Sequence, residues 1–116
     1  LVRSGGDMQL LYGKGMALGV LPEVSIEERA VDLNPGDSLI LYTDGVTEAL
    51  NEDMDEFGLE RLRYAAYNSR GLDADELKEA VITAVRDHTG DTAQFDDVTL
   101  VVLKRPPANN TTMELP

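Results

Sequence analysis

The run Leu39-Ile40-Leu41-Tyr42 stops abruptly at Thr43-Asp44-Gly45, and a second run, Val98-Thr99-Leu100-Val101-Val102-Leu103, begins directly after Asp96-Asp97. Both are apolar nearly throughout, and the second is rich in β-branched residues, as expected of strands covered on both faces. Asp44 therefore sits at the carboxyl end of one strand, and Asp96 and Asp97 sit at the amino end of the other. If the strands are antiparallel neighbours, the end of one lies beside the start of the other, and these acids converge at one edge of the sheet. Strand spacing of about 4.8 Å brings such carboxylates close enough to repel unless a cation lies between them. Hard oxygen ligands suit Mg2+ or Mn2+, which keep several waters and take only a few protein carboxylates. A site of that kind polarises a phosphoryl oxygen and activates water as a nucleophile. Gly45 lets the backbone approach the metal shell, having no side chain and tolerating unusual φ. The plainer reading uses the same residues, since Asp-Gly is a common tight-turn dipeptide and acids beside strand ends are often solvated loop residues or caps. Spacing alone leaves both readings open.

Ahead of the first run, Asn34-Pro35-Gly36-Asp37 places Pro and Gly where a type II turn needs them, so the chain reverses there. Residues 24–33 alternate at Val24 and Ile26 and again at Val31 and Leu33, with a phase slip among Glu27, Glu28 and Arg29 that predicts an exposed or bulged strand. Residues 8–12, bracketed by Gly5-Gly6 and Gly13, read as a short strand of a hairpin. Between the two apolar runs, Leu59, Leu62 and Ala66 recur at helical spacing, predicting a helix over 55–69 with Gly71 as its stop. Asp73 and Glu76 then stand three apart like a capping box, and Leu77, Ala80, Val81, Ala84 and Val85 form one apolar stripe up to Gly90. His88, the single histidine, extends that stripe and reads as a packed or dipole-stabilising residue rather than a base or ligand. Glu48, Glu52, Asp53, Asp55 and Glu56 read as a solvated loop, and Met16, Met54 and Tyr64 as packing groups. Ser4, Ser25, Ser38 and Ser69 have no histidine at a spacing that supports a serine nucleophile.

With 116 residues and 42% hydrophobic content, the chain has room for one small core and not for two domains. Its net charge of −12 argues against nucleic acid and against contact with an anionic membrane, and favours a metal or a cationic partner. The absence of cysteine removes disulfides and thiolate chemistry and fits a cytoplasmic setting. No apolar run approaches the roughly 20 residues of a membrane span. The chain opens on Leu1 directly into strand-like sequence, which predicts a piece of a longer protein. Residues 1–104 carry the domain sequence, and residues 105–116, with Pro106, Pro107, Asn109 and Asn110, read as a disordered tail.

Gly36-Asp37-Ser38-Leu39-Ile40-Leu41-Tyr42-Thr43-Asp44-Gly45-Val46-Thr47-Glu48-Ala49, then Phe57-Gly58-Leu59-Glu60-Arg61-Leu62, then Asp96-Asp97-Val98-Thr99 resemble the latter half of the bacterial PP2C-like serine/threonine phosphatases, of the stage II sporulation E and RsbU type. The likeness runs over about residues 1–105 and includes the Met16-Ala17-Leu18-Gly19 turn. It implies an α+β fold, part of an α/β/β/α sandwich of antiparallel sheets with helices outside. It implies a Mn2+ or Mg2+ centre, binuclear in the complete domain, with Asp44 and Asp96 as ligands and Gly45, Asp97 and Thr99 in support. It implies hydrolysis of phosphoserine or phosphothreonine on a phosphorylated regulator, such as an anti-sigma factor antagonist, in a signalling protein whose sensor or membrane domains lie elsewhere. The family's upstream acidic strand and its Asp-x-x-Gly-His-Gly type motif do not occur in this chain. Half of the metal shell is therefore missing from it, and activity is expected of the parent domain. A non-catalytic PP2C-like binding or dimerisation module is the competing reading. A chain cut from a sandwich leaves apolar faces and edges open, which predicts a homodimer if it folds alone.

Overall fold

The computed structural model describes residues 1–11, 30–91 and 97–108. Along them run β1 (Ser38–Tyr42), α1 (Asp44–Thr47), α2 (Gly58–Asn68), α3 (Ala74–Thr89) and β2 (Leu100–Lys104). The two strands pair antiparallel, with Ser38 opposite Lys104, Ile40 opposite Val102 and Tyr42 opposite Leu100. The neighbour relation on which the acidic edge depends is thus present.

The turn ahead of β1 has the expected geometry, with Gly36 at φ 85° and the Asp37 amide donating to the Asn34 carbonyl at 2.9 Å. Asp37 holds it from inside. Its buried carboxylate accepts from Arg3 Nη1 at 2.6 Å, from the Asn34 amide at 2.9 Å and from the Ser4 amide at 3.0 Å. The Arg3 hydrogen bond is the largest influence on this carboxyl, burial opposes it, and the two amides add to it, so the group is held below its ordinary range. The first residues form the expected hairpin only as an isolated Val2–Met8 bridge, and Leu10 and Leu11 are exposed. Tyr12 and residues 24–29 lie outside the described residues, as do Ser25, Met16 and the Met16–Gly19 turn; residues 30–33 carry no strand.

Leu77, Val81 and Val85 are buried along one face of α3, as the stripe predicts, and the Asp73 side chain accepts from the Glu76 amide at 2.8 Å to cap its start. These residues pack with Val46, Ala49, Phe57 and Leu62 into one core, against which Ile40, Tyr42, Leu100 and Val102 lie from the sheet. The other face of the sheet is open, with Leu41 48%, Val101 47% and Leu103 52% exposed. This corrects the expectation of strands covered on both faces. Side chains alternate along a strand, and α3 packs on one side of the sheet alone, so every second apolar residue is left facing outward.

The predicted helix over 55–69 is shorter, Gly58–Asn68. Its start is displaced because Glu56 is bridged to Leu50 and the Phe57 amide donates to the Ala49 carbonyl, keeping that stretch in a small antiparallel loop. Asn51 Oδ1 organises the loop by accepting from the Asp53 and Asp55 amides. Met54 and Tyr64 are 68% and 72% exposed, not packing groups, because the loop tip and the outer face of α2 point away from the core. Beyond α2, Lys104 Nζ donates to the Arg70 and Leu72 carbonyls at 2.6 and 2.5 Å, tying the end of β2 to the α2–α3 connection.

Candidate functional site

At the end of the sheet the pairing continues past Tyr42 and Leu100 through a substitution of one group for another. The Thr43 amide donates to the Thr99 carbonyl at 3.2 Å, as a ladder residue should. The return bond does not use the Thr43 carbonyl, because that oxygen accepts the Val46 amide at 3.0 Å and so opens α1. The Thr43 hydroxyl takes its place and accepts the Thr99 amide at 3.1 Å. Its own hydrogen is directed at the Asp97 carbonyl over a long 3.5 Å. The chain thereby passes from strand to helix within one residue while β2 keeps a partner for its amide.

The next residues fit the same arrangement. Asp44 is the first residue of α1, exposed at the sheet edge. Val46, 0% exposed, pins that single turn into the core. Gly45 meets the backbone of Asp97: a Cβ there would lie 2.1 Å from the Asp97 carbonyl oxygen and 2.9 Å from its carbon. Only glycine allows the approach, and the reason is steric and directed at β2's leading residue, since Gly45 has no positive φ. Asp97 is exposed at the same edge and contributes its backbone carbonyl to these contacts, and Thr99 contributes its amide. Asp96 lies outside the described residues.

Asp44 and Asp97 are thus brought to one edge by elements 54 residues apart at the Thr43–Asp97 contact. Their oxygen chemistry matches a hard divalent cation. Among the described residues no group of three or more His, Cys, Asp or Glu side chains is placed to hold a metal. His88 is engaged elsewhere, with Nε2 at 2.8 Å from the Asp55 carbonyl and its ring edge-on to Phe57 at 5.7 Å. Since a carbonyl only accepts, Nε2 carries the hydrogen. Sequence reasoning passed over Thr43. The available signal was a hydroxyl-bearing residue at the last position of a strand, directly before an Asp-Gly pair.

The antiparallel strand pair with helices packed on one face makes an α+β arrangement. The solved SiaA-PP2C domain of Pseudomonas aeruginosa matches it with a TM-score of 0.60 over 71% of this chain and 39% of that one, at 24% identity, a likeness of fold. The family model for Stage II sporulation protein E (SpoIIE) matches residues 1–106, and the chain belongs to that family. Protein IcfG of Synechocystis sp. is 31% identical over 108 residues, which cover 90% of this chain and 16% of that protein's length. No helix among the described residues is long and apolar enough to cross a membrane.

Proposed function

We propose that this chain supplies one side of the metal centre of a phosphoserine/phosphothreonine protein phosphatase, with Asp44 and Asp96 as ligands and Gly45, Asp97 and Thr99 in support. The observation that carries the reading is the β1–β2 register, which continues through Thr43 and Thr99 and sets Asp44 beside the start of the second strand. Mn2+ or Mg2+, binuclear in the complete domain, would supply charge stabilisation at the phosphoryl group and an activated water. The chain's own residues hold Asp44 at this edge: Thr43 and Gly45 fix the approach of the two strands, and Val46 anchors the turn that carries it. The substrate would be a phosphorylated protein, with an anti-sigma factor antagonist as the regulator of that kind, and the setting the cytoplasm of a bacterial cell. The metal shell is completed by acids that this chain does not carry, so catalysis belongs to the parent domain.

A second reading has its own observation. The open apolar row of Leu41, Val101 and Leu103 on the sheet's outer face suits a PP2C-like domain kept for binding or dimerisation. Calorimetric titration of Mn2+ into the chain and into Asp44→Asn and Asp96→Asn, with a phosphoserine peptide assayed on the same samples, tests the metal-site reading. Binding in the wild type and its loss in both variants supports the metal-site reading. No binding by the wild type removes an independent site from this chain and leaves metal binding to the parent domain.

A further inference from the structure

We propose that Thr43 is the positioning residue of this acidic edge, its hydroxyl standing in for a backbone carbonyl so that Asp44 is held beside the segment that leads into β2 and carries Asp97. The inference rests on the phosphatase reading for its purpose, and on hydrogen-bond geometry for its substance. An antiparallel ladder residue ordinarily exchanges two bonds with its partner. At the Thr43–Thr99 pair the first is present, from the Thr43 amide to the Thr99 carbonyl. The second donor, the Thr99 amide, faces a carbonyl already turned to Val46 as the opening bond of α1. The Thr43 carbonyl serves the Val46 amide, and the hydroxyl at 3.1 Å gives the Thr99 amide an acceptor of its own.

Without that oxygen one of two things follows. Either the Thr99 amide goes unpaired at the end of β2, or the Thr43 carbonyl swings back to it and the first turn of α1 opens. The first loosens the segment that carries Asp97, and the second moves Asp44 out of its place. Both disturb the relation between the two carboxylates while leaving the core of α3 untouched. Valine, which matches threonine in shape and lacks the oxygen, isolates the effect. Serine, which keeps the oxygen and loses the methyl group, should restore it.

The experiment is amide hydrogen exchange followed by NMR on the whole chain as wild type, Thr43→Val and Thr43→Ser, with Mn2+ titrated into each. In Thr43→Val, exchange at Thr99 or Val46 should accelerate roughly tenfold or more, the consequence of one lost hydrogen bond, while Val81 and Val85 keep their protection. Mn2+ affinity should fall by a similar factor, and Thr43→Ser should return both readouts to near the wild-type level. Unchanged exchange at both amides in Thr43→Val overturns the proposal, as does accelerated exchange with Mn2+ affinity intact. Should the wild type bind no Mn2+, the metal-site reading fails for this chain. Exchange at Thr99 and Val46, with its rescue by serine, then decides the role of Thr43 alone.

Discussion

Gly45 and Asp37 show how much of this molecule depends on single contacts. A methyl group at position 45 would stand 2.1 Å from the Asp97 carbonyl oxygen, a backbone atom with little freedom to withdraw. Gly45→Ala is expected to destabilise the fold by about 1–3 kcal/mol, the range for forced overpacking, read as a lowered urea midpoint. It should also separate the strand ends and, on the proposed metal-site reading, weaken Mn2+ binding. Asp37 gives a pH dependence with a definite sign. Its carboxyl is held below the ordinary value, chiefly by Arg3. The stability it contributes is therefore complete above the unfolded value near pH 4 and is lost as the pH falls through the lower folded value. Asp37→Asn should flatten that acid limb of the stability curve, and a limb unchanged by the substitution would place the acid sensitivity elsewhere. Asp44, Gly45 and Asp97 could be picked out of the sequence because Asp-Gly and Asp-Asp flank apolar runs. Thr43 is harder to pick out, because its place before the Asp-Gly pair is the single local signal and the bond that defines its role comes from an amide 56 residues away.

Among the elements, α3 is the one whose sequence pattern and structure agree most closely. A sixteen-residue helix gives an apolar stripe several turns in which to repeat, and its cap and its Gly90 stop are local. Leu77→Ala, at a position with 0% exposure in the centre of the core, should cost about 2–5 kcal/mol, measured by chemical denaturation. Asp73→Ala should lower the melting temperature by much less, since it removes a single cap. The four residues of α1 are too few to establish a period, and so the turn that carries Asp44 was read as a strand end. The start of α2 was misjudged for a different reason: the Leu50–Glu56 bridge is a pairing between backbones, and no side-chain periodicity announces it. The strands themselves were legible, but their open face was not. An apolar run states that both faces are apolar, and only the placement of the helices decides which is covered.

At the scale of the whole molecule, a chain of net charge −12 carries an outward row formed by Leu41, Val101 and Leu103, each about half exposed. Charge opposes association at long range and the apolar row favours it at contact, so raising the salt concentration should promote self-association. Light scattering is expected to show an apparent mass that rises with protein concentration and rises further in salt. Val101→Thr with Leu103→Thr should reduce both effects, and a monodisperse monomer in high salt would refute the expectation. Family membership and the PP2C-like fold agree with what the ordered motifs implied, because those motifs span nearly the whole chain. The proposed metal shell is not legible in the same way, since a shell joins residues distant in sequence and no local pattern announces which acids it gathers.

The pairing of β1 with β2 also sets an order of events in time. Ser38 and Lys104 lie at opposite ends of the segment that contains α1, α2 and α3, and joining them means closing a loop of several dozen residues. Helices form from local contacts within microseconds, whereas strands so distant in sequence pair late. During synthesis Asp44 leaves the ribosome long before β2 does. The acidic edge is therefore among the last features to assemble, and a nascent chain stopped anywhere before Asp96 would hold the first carboxylate without the acids of the second strand.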